Sequence, residues 1–156
     1  MNQKYIIYCD MDMVLTDFEK AYYDLTGIKI KGPYNSGPEF WRPIEEAGLD
    51  FWQNMPWMPD GKELWNYIKK YNPKILSSPS RENESRIGKI NWVERELGNF
   101  QVILRSHNHK KDLATPNSIL IDDREDNIAG WKEKGGIGIL HKNAKDSIKQ
   151  LKELGL

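Results

Sequence analysis

The chain has a single cysteine, Cys9. That excludes an internal disulfide and fits a reducing compartment. Cys9 lies in an apolar run beside acidic residues, which would raise its thiol pKa, so it reads as structural and not as a nucleophile. Charge of one sign is also lacking: Lys+Arg and Asp+Glu both number 23. No global field then favours a polyanion such as nucleic acid, whereas a small phosphorylated ligand stays compatible. No signal-peptide pattern precedes the first apolar run, and no such run approaches membrane-spanning length. The expectation is a soluble cytoplasmic protein with no membrane partner. Metal-site histidine spacing is missing as well. His107 and His109 have no cysteine partners and no helical H-x-x-x-H spacing, so they read as solvated or substrate-adjacent.

What is present starts at Tyr5. Tyr5-Ile6-Ile7-Tyr8-Cys9 suits a strand buried on both faces. Asp10 and Asp12 follow it, and in extended backbone their carboxylates would share one side and repel. A divalent cation, or a proton held on one of them, relieves that repulsion. Thr16-Asp17-Phe18-Glu19 has the T-x-x-E form of a capping box, predicting a helix to about Leu25 with Gly27 as its stop. Strand, acidic loop and helix in this order form the ligand-binding edge of open α/β sheets.

Lys29 to Pro43 reads as a loop broken by Gly32-Pro33 and Gly37-Pro38. It is followed by a short helix from Ile44 to Trp52 and a connection rich in Met and Trp up to Pro59. Six tryptophans in 156 residues is high. Residues 18–60 are expected to form a small helical cap inserted in a single domain spanning 1–156, its aromatics suited to a flat ligand. Asp60-Gly61-Lys62-Glu63 predicts a second capped helix, ending near Asn72-Pro73. Lys74 to Leu76 is a short strand running into Ser77-Ser78-Pro79-Ser80. Glu82 to Leu97 reads as a structural helix with Ile87, Ile90, Val93 and Leu97 on its apolar face. Strands follow at Gln101–Leu104 and Ser118–Ile121, with a helical turn at Lys110–Ala114 between them. Ser118–Ile121 ends in Asp122-Asp123-Arg124, the counterpart of the opening D-x-D. Carboxylates converging from neighbouring parallel strands make an oxygen-rich site suited to Mg²⁺. A helix at Asn127–Lys134, a strand at Gly136–Leu140 and a helix at Asn143–Leu154 complete the chain.

D-M-D-M-V-L-T-D, a strand ending in Ser77, a lysine near 110, and Asp122-Asp123, in this order, resemble the motifs of the haloacid-dehalogenase-like (HAD) phosphohydrolases. The resemblance implies an α/β Rossmann-like core with a parallel sheet flanked by helices and a small helical cap. D-M-D-M-V-L-T-D-F-E, Phe40-Trp41, S-S-P (Ser77 to Pro79), Trp92-Val93-Glu94 and I-D-D-R (Ile121 to Arg124) look further like the 5′(3′)-deoxyribonucleotidase branch. One departure is Met13, where relatives often carry Gly.

By that resemblance, Asp10 is the nucleophile, Asp12 the general acid/base, and Ser77 a phosphoryl ligand. Lys110 and Lys111 are both open as the charge-neutralising lysine, with Lys111 favoured by its distance to Asp122. Asp10, Asp12 (through its carbonyl), Asp122 and Asp123 hold Mg²⁺. Phe18, Phe40, Trp41, Ser78 and Arg124 bind substrate, expected to be a nucleoside monophosphate. A homodimer is left open. Rival readings are a HAD phosphatase for a nucleic-acid 3′ end or a small metabolite, a phospho-acceptor receiver, and a non-catalytic nucleotide binder.

Overall fold

The structure, a computed structural model, describes residues 4–30 and 37–156. The Gly32-Pro33 turn signal lies outside these. Five parallel strands form one sheet in the order β3-β2-β1-β4-β5. They are β1 (Ile6–Cys9), β2 (Lys74–Ser77), β3 (Val102–Leu104), β4 (Ser118–Asp122) and β5 (Ile137–Leu140). The chain winds outward from β1 through β2 to β3, then returns to the other side of β1 with β4. That reversal leaves a crevice at the carboxyl ends of β1 and β4, where ligands settle in open α/β sheets.

Alternation along the strands decides the two covered faces. Ile7, Cys9, Ile75, Ile119 and Ile121 belong to the larger core, with Leu64, Trp65 and Ile68 of α4 (Gly61–Ile68), Trp92 and Val93 of α5 (Asn83–Glu96), and Leu151 of α8 (Ala144–Glu153). Tyr8, Leu76 and Leu120 point the other way, onto Ile128 and Trp131 of α7 (Glu125–Glu133). Cys9 is wholly buried, and burial, then Asp10 and Asp122, push its thiol well above the ordinary range. The structural reading of this cysteine fits that placement.

Three further helices lie between β1 and α4: α1 (Phe18–Thr26), α2 (Pro38–Ala47) and α3 (Leu49–Gln53). The expected loop to Pro43 is in part helix, because α2 begins at Pro38 and contains Pro43. Pro38 occupies the first helical position, where its missing N–H costs nothing. Both predicted capping boxes work differently. Asp17, not Thr16, caps α1 by accepting from the Lys20 N–H at 3.0 Å, which releases Thr16 for the acidic loop. Asp60 makes no side-chain cap on α4; its Oδ2 accepts from the Ala144 N–H at 2.6 Å, at the start of α8.

The buried face of α5 also differs from expectation. It carries Ser85, Gly88, Lys89, Trp92 and Val93, while Ile87 and Ile90 stand 46% and 45% exposed. Gly88 explains the rotation. A Cβ there would lie 2.4 Å from Trp52 Cβ, so the absent side chain lets α3 lie directly on α5. Among the described residues, no helix is long and apolar enough to cross a membrane.

Candidate active site

Backbone pairing brings the acidic groups together. The Asp10 N–H donates to Ile121 O at 2.9 Å, carrying the β1–β4 ladder past Cys9 and setting Asp10 beside Asp122. The chain then doubles back within six residues, with the N–H groups of Val14, Leu15 and Thr16 all converging on Met11 O. Met13 sits at φ 66°, left-handed backbone that a β-carbon disfavours. A glycine would take this conformation without strain. The loop is strapped to the segment after α3 by Asp17 N–H to Pro56 O and Met58 N–H to Leu15 O, at 2.8 and 2.7 Å.

Asp10, Asp122 and Asp123 form a cluster whose oxygens lie within 4.8 Å of one another. Its resident cation is Lys110, at the end of the short helix α6 (His107–Lys110). The Lys110 Nζ lies 3.0 Å from Asp10 Oδ1 and 2.9 Å from Asp122 Oδ2, with side-chain exposures of 1%, 8% and 0% for the three residues. The sequence reading favoured Lys111. The helical turn instead directs Lys110 inward, and the Lys111 side chain lies against Gly130 of α7.

Burial and the neighbouring charge of Asp122 push the Asp10 carboxyl well above the ordinary range, with Lys110 opposing. The same two causes raise Asp123 to about 6. Burial alone would lower the Lys110 ammonium, but Asp10 and Asp122 outweigh it and hold it above the ordinary lysine range. Carboxyls crowded this closely, with only oxygen donors, fit a hard divalent cation.

Asp122 accepts three hydrogen bonds. Its Oδ1 accepts from the Arg124 N–H at 3.0 Å, and its Oδ2 accepts from Lys110 and from Asn127 Nδ2, the latter at 3.0 Å. Asp123 instead lines the cavity. Asp12 has its side chain outside the cluster, with Oδ1 accepting from Thr16 Oγ1 and Oδ2 from Lys89 Nζ, both at 2.9 Å. Lys89 also donates to Ser77 Oγ at 2.8 Å and is 1% exposed. Ser77 is thus buried behind the site and joined to Asp12 through one ammonium group.

Asp10, Asp12 and Asp123 open into a cavity of about 320 Å³. Its other walls hold Met13, Phe18, Phe40, Trp41 and Trp52, then Ser78 to Ser80, His107 and Arg124. Phe18 anchors the aromatic wall, with ring centroids 6.2 Å from Phe40, 6.3 Å from Trp41 and 6.0 Å from Trp52. Tyr22 stacks behind Phe40 at 4.4 Å. Of the expected substrate residues, Phe18, Phe40, Trp41, Ser78 and Arg124 all reach this cavity, although the Arg124 guanidinium is already paired with both oxygens of Asp126, at 2.8 and 3.1 Å.

Lys89 and Asn127 were missed from sequence. Lys89 could have been found as a lone charge spaced i+4 from Ser85 and i−3 from Trp92, on the buried face, but Ile87 and Ile90 drew the face elsewhere. Asn127 carried no signal beyond following Asp122-Asp123 by a helical turn.

No protein-family model matches the sequence, and none of the curated proteins compared with it does. Solved structures do match in fold. A HAD-superfamily hydrolase from Ehrlichia chaffeensis superposes with a TM-score of 0.55 at 16% identity, covering 100% of both chains. A predicted phosphatase from Clostridium acetobutylicum gives 0.56 at 14%, covering 99% of this chain and 100% of its own. A hydrolase from Pseudomonas syringae gives 0.55 at 14%, covering 96% and 99%. The fold is therefore the α/β Rossmann-like fold of HAD-superfamily hydrolases. At these identities the likeness extends to architecture.

Proposed function

We propose that this protein is a Mg²⁺-dependent phosphatase that hydrolyses (deoxy)nucleoside monophosphates to nucleoside and phosphate. The carrying observation is that one cavity is lined both by the carboxylates of Asp10, Asp12 and Asp123 and by the aromatic side chains of Phe18, Phe40, Trp41 and Trp52. A phosphate monoester bearing a flat base matches both kinds of lining. The phosphatase and hydrolase names of the structural neighbours support the reaction class.

Asp10 attacks phosphorus, and the phosphorus–oxygen bond to the sugar breaks to leave an aspartyl phosphate. Asp12, entering the step in its protonated form, gives that proton to the departing sugar oxygen and is left as the carboxylate that Thr16 and Lys89 hydrogen-bond. It then takes one from the water that attacks the aspartyl phosphate, freeing Asp10 and inorganic phosphate. Thr16 and Lys89 hold Asp12 in one rotamer between the two steps. Lys110 opposes the rise of the Asp10 carboxyl, favouring the ionised nucleophile, and offsets negative charge developing on the phosphoryl oxygens. Ser77, through its link to Lys89, fixes the same edge of the site.

Asp10, Asp123 and the Asp12 carbonyl would hold Mg²⁺ together with Asp122, whose three hydrogen bonds orient it within the cluster. When bound, the ion supplies charge neutralisation of the phosphoryl group. The cap expected over residues 18–60 contributes the aromatic wall, which a base would contact.

Phosphate release from a panel of ribo- and deoxyribonucleoside monophosphates, a sugar phosphate and a 3′-phosphorylated oligonucleotide tests the proposal, with Asp10→Asn as blank. Turnover concentrated on mononucleotides is expected. Turnover only on the oligonucleotide or the sugar phosphate would overturn the substrate assignment and leave the reaction.

A further inference from the structure

His107 lines the cavity and has no task in the mechanism above. Its Nδ1 lies 3.2 Å from Asn127 Nδ2 and 3.2 Å from Ser78 Oγ. The same Asn127 nitrogen lies 3.0 Å from Asp122 Oδ2. A carboxylate oxygen already receiving the Lys110 ammonium accepts and does not donate, so it fixes which end of the Asn127 amide faces it. The amide nitrogen has two hydrogens: one goes to Asp122 and the other points at His107. Nδ1 must then offer a lone pair, and the neutral ring carries its hydrogen on Nε2. The Ser78 hydroxyl lies equally close to Nδ1 and competes with the Asn127 N–H for its single lone pair. With Nδ1 turned to Ser78 and Asn127, Nε2 is the ring nitrogen left over, on a side chain that lines the cavity together with Asp123 and Arg124. Among the described residues, no group accepts from it.

We infer that His107 is a substrate-contact residue, donating its Nε2–H to a non-bridging oxygen of the bound phosphoryl group. This inference rests on the phosphatase reading. The chain Asp122–Asn127–His107 couples the orientation of this donor to the acidic cluster. A neutral donor suits the position. Lys110 and the backbone-held carboxylates already set the local charge, and the nearby cations Lys110 and Arg124 disfavour a second positive ring. The sequence signal was only a histidine in a loop between a strand and a lysine; its tautomer is fixed by a residue twenty positions later.

The experiment measures inorganic phosphate binding to the full chain in Mg²⁺, using wild type, His107→Phe and His107→Gln, together with long-range ¹H–¹⁵N spectra of the wild-type imidazoles at pH 7. The expected spectrum shows the Nε2–H tautomer for His107, with its Nε2 signal displaced by phosphate. His107→Phe keeps the ring shape without the donor and should weaken phosphate binding about tenfold or more, while His107→Gln, whose amide reaches the Nε2 position, should stay within about threefold of wild type. An Nδ1–H tautomer, an Nε2 signal indifferent to phosphate, unchanged affinity in His107→Phe, or a Gln variant no better than Phe would each overturn the assignment. Failure of the phosphatase reading has a different signature: wild-type protein that releases no phosphate from any monoester.

Discussion

Replacing Lys110 by Met separates the two candidate lysines and puts a magnitude on the acidic cluster. Met fills a similar volume and removes the one ammonium that lies within 3.0 Å of two buried carboxylates. Breaking a buried ion pair from one side costs about 3–5 kcal/mol, because the remaining charge has no partner. For a chain of this size that corresponds to a melting temperature lower by roughly 6–20 °C. The cost has a definite pH sign. Without Lys110 the Asp10 carboxyl, already raised by burial and Asp122, is raised further. A carboxyl whose folded pKa exceeds its unfolded one has its stability fully present below the unfolded pKa and loses it as pH rises through the folded value. The deficit of Lys110→Met is therefore small below about pH 4 and grows toward neutrality, and Mg²⁺ added to the metal-free protein should recover part of it. Thermal unfolding in EDTA, then in excess Mg²⁺, at acidic and neutral pH reads all three effects. Lys111→Met, whose half-buried side chain packs its methylenes against Gly130 and makes no buried ion pair, should change stability by less than about 1 kcal/mol. A Lys110→Met protein as stable as wild type in EDTA at pH 7, or a Lys111→Met protein equally damaged, would refute the reasoning.

Asp10→Asn should lose essentially all turnover while unfolding within about 1 kcal/mol of wild type, since a neutral amide relieves the same crowding that raises the Asp10 pKa; circular dichroism and phosphate release together check it. Lys89→Met, which frees Asp12 and Ser77, should lower kcat about tenfold or more on a nucleotide, whose sugar oxygen needs protonating, and less on p-nitrophenyl phosphate, whose leaving group does not; equal losses on both would contradict the positioning role. Gly88→Ala should destabilise by about 1–3 kcal/mol through collision with Trp52, and raise KM for a mononucleotide more than for a sugar phosphate. For the metal-free wild type, the raised Asp123 carboxyl predicts stability that falls as pH climbs from about 4 to about 6, a slope that saturating Mg²⁺ should remove; a flat metal-free profile would count against the crowded cluster.

The sequence by itself determined the elements that depend on neighbours in the chain. Apolar runs ending abruptly in Asp10, Ser77 and Asp122 fix three strands and the chemistry at their carboxyl ends, because burial and charge change over one or two residues. Gly27, closing α1 at φ 75°, is the same kind of local event. The tertiary structure decided what depends on groups far apart in the chain. Asp60 has the spacing of a helix cap and spends its carboxylate on a helix 84 residues away. Lys110 and Lys111 are indistinguishable until one turn of α6 points a single ammonium at two strand ends. Lys89 has no reading of its own in a helix taken from sequence as structural, and Ile87 and Ile90 read as its apolar face, until Gly88 lets α3 press against α5 and turns Lys89 inward. How each carboxylate of the cluster is engaged was decided last: Asp122 accepts from Lys110, Asn127 and the Arg124 backbone, while Asp123 lines the cavity. Local backbone preference and hydrophobic period act over a few residues and are written in order along the chain. Hydrogen-bond saturation of a buried group depends on every element that reaches it, so it exists only once the sheet and its helices have closed.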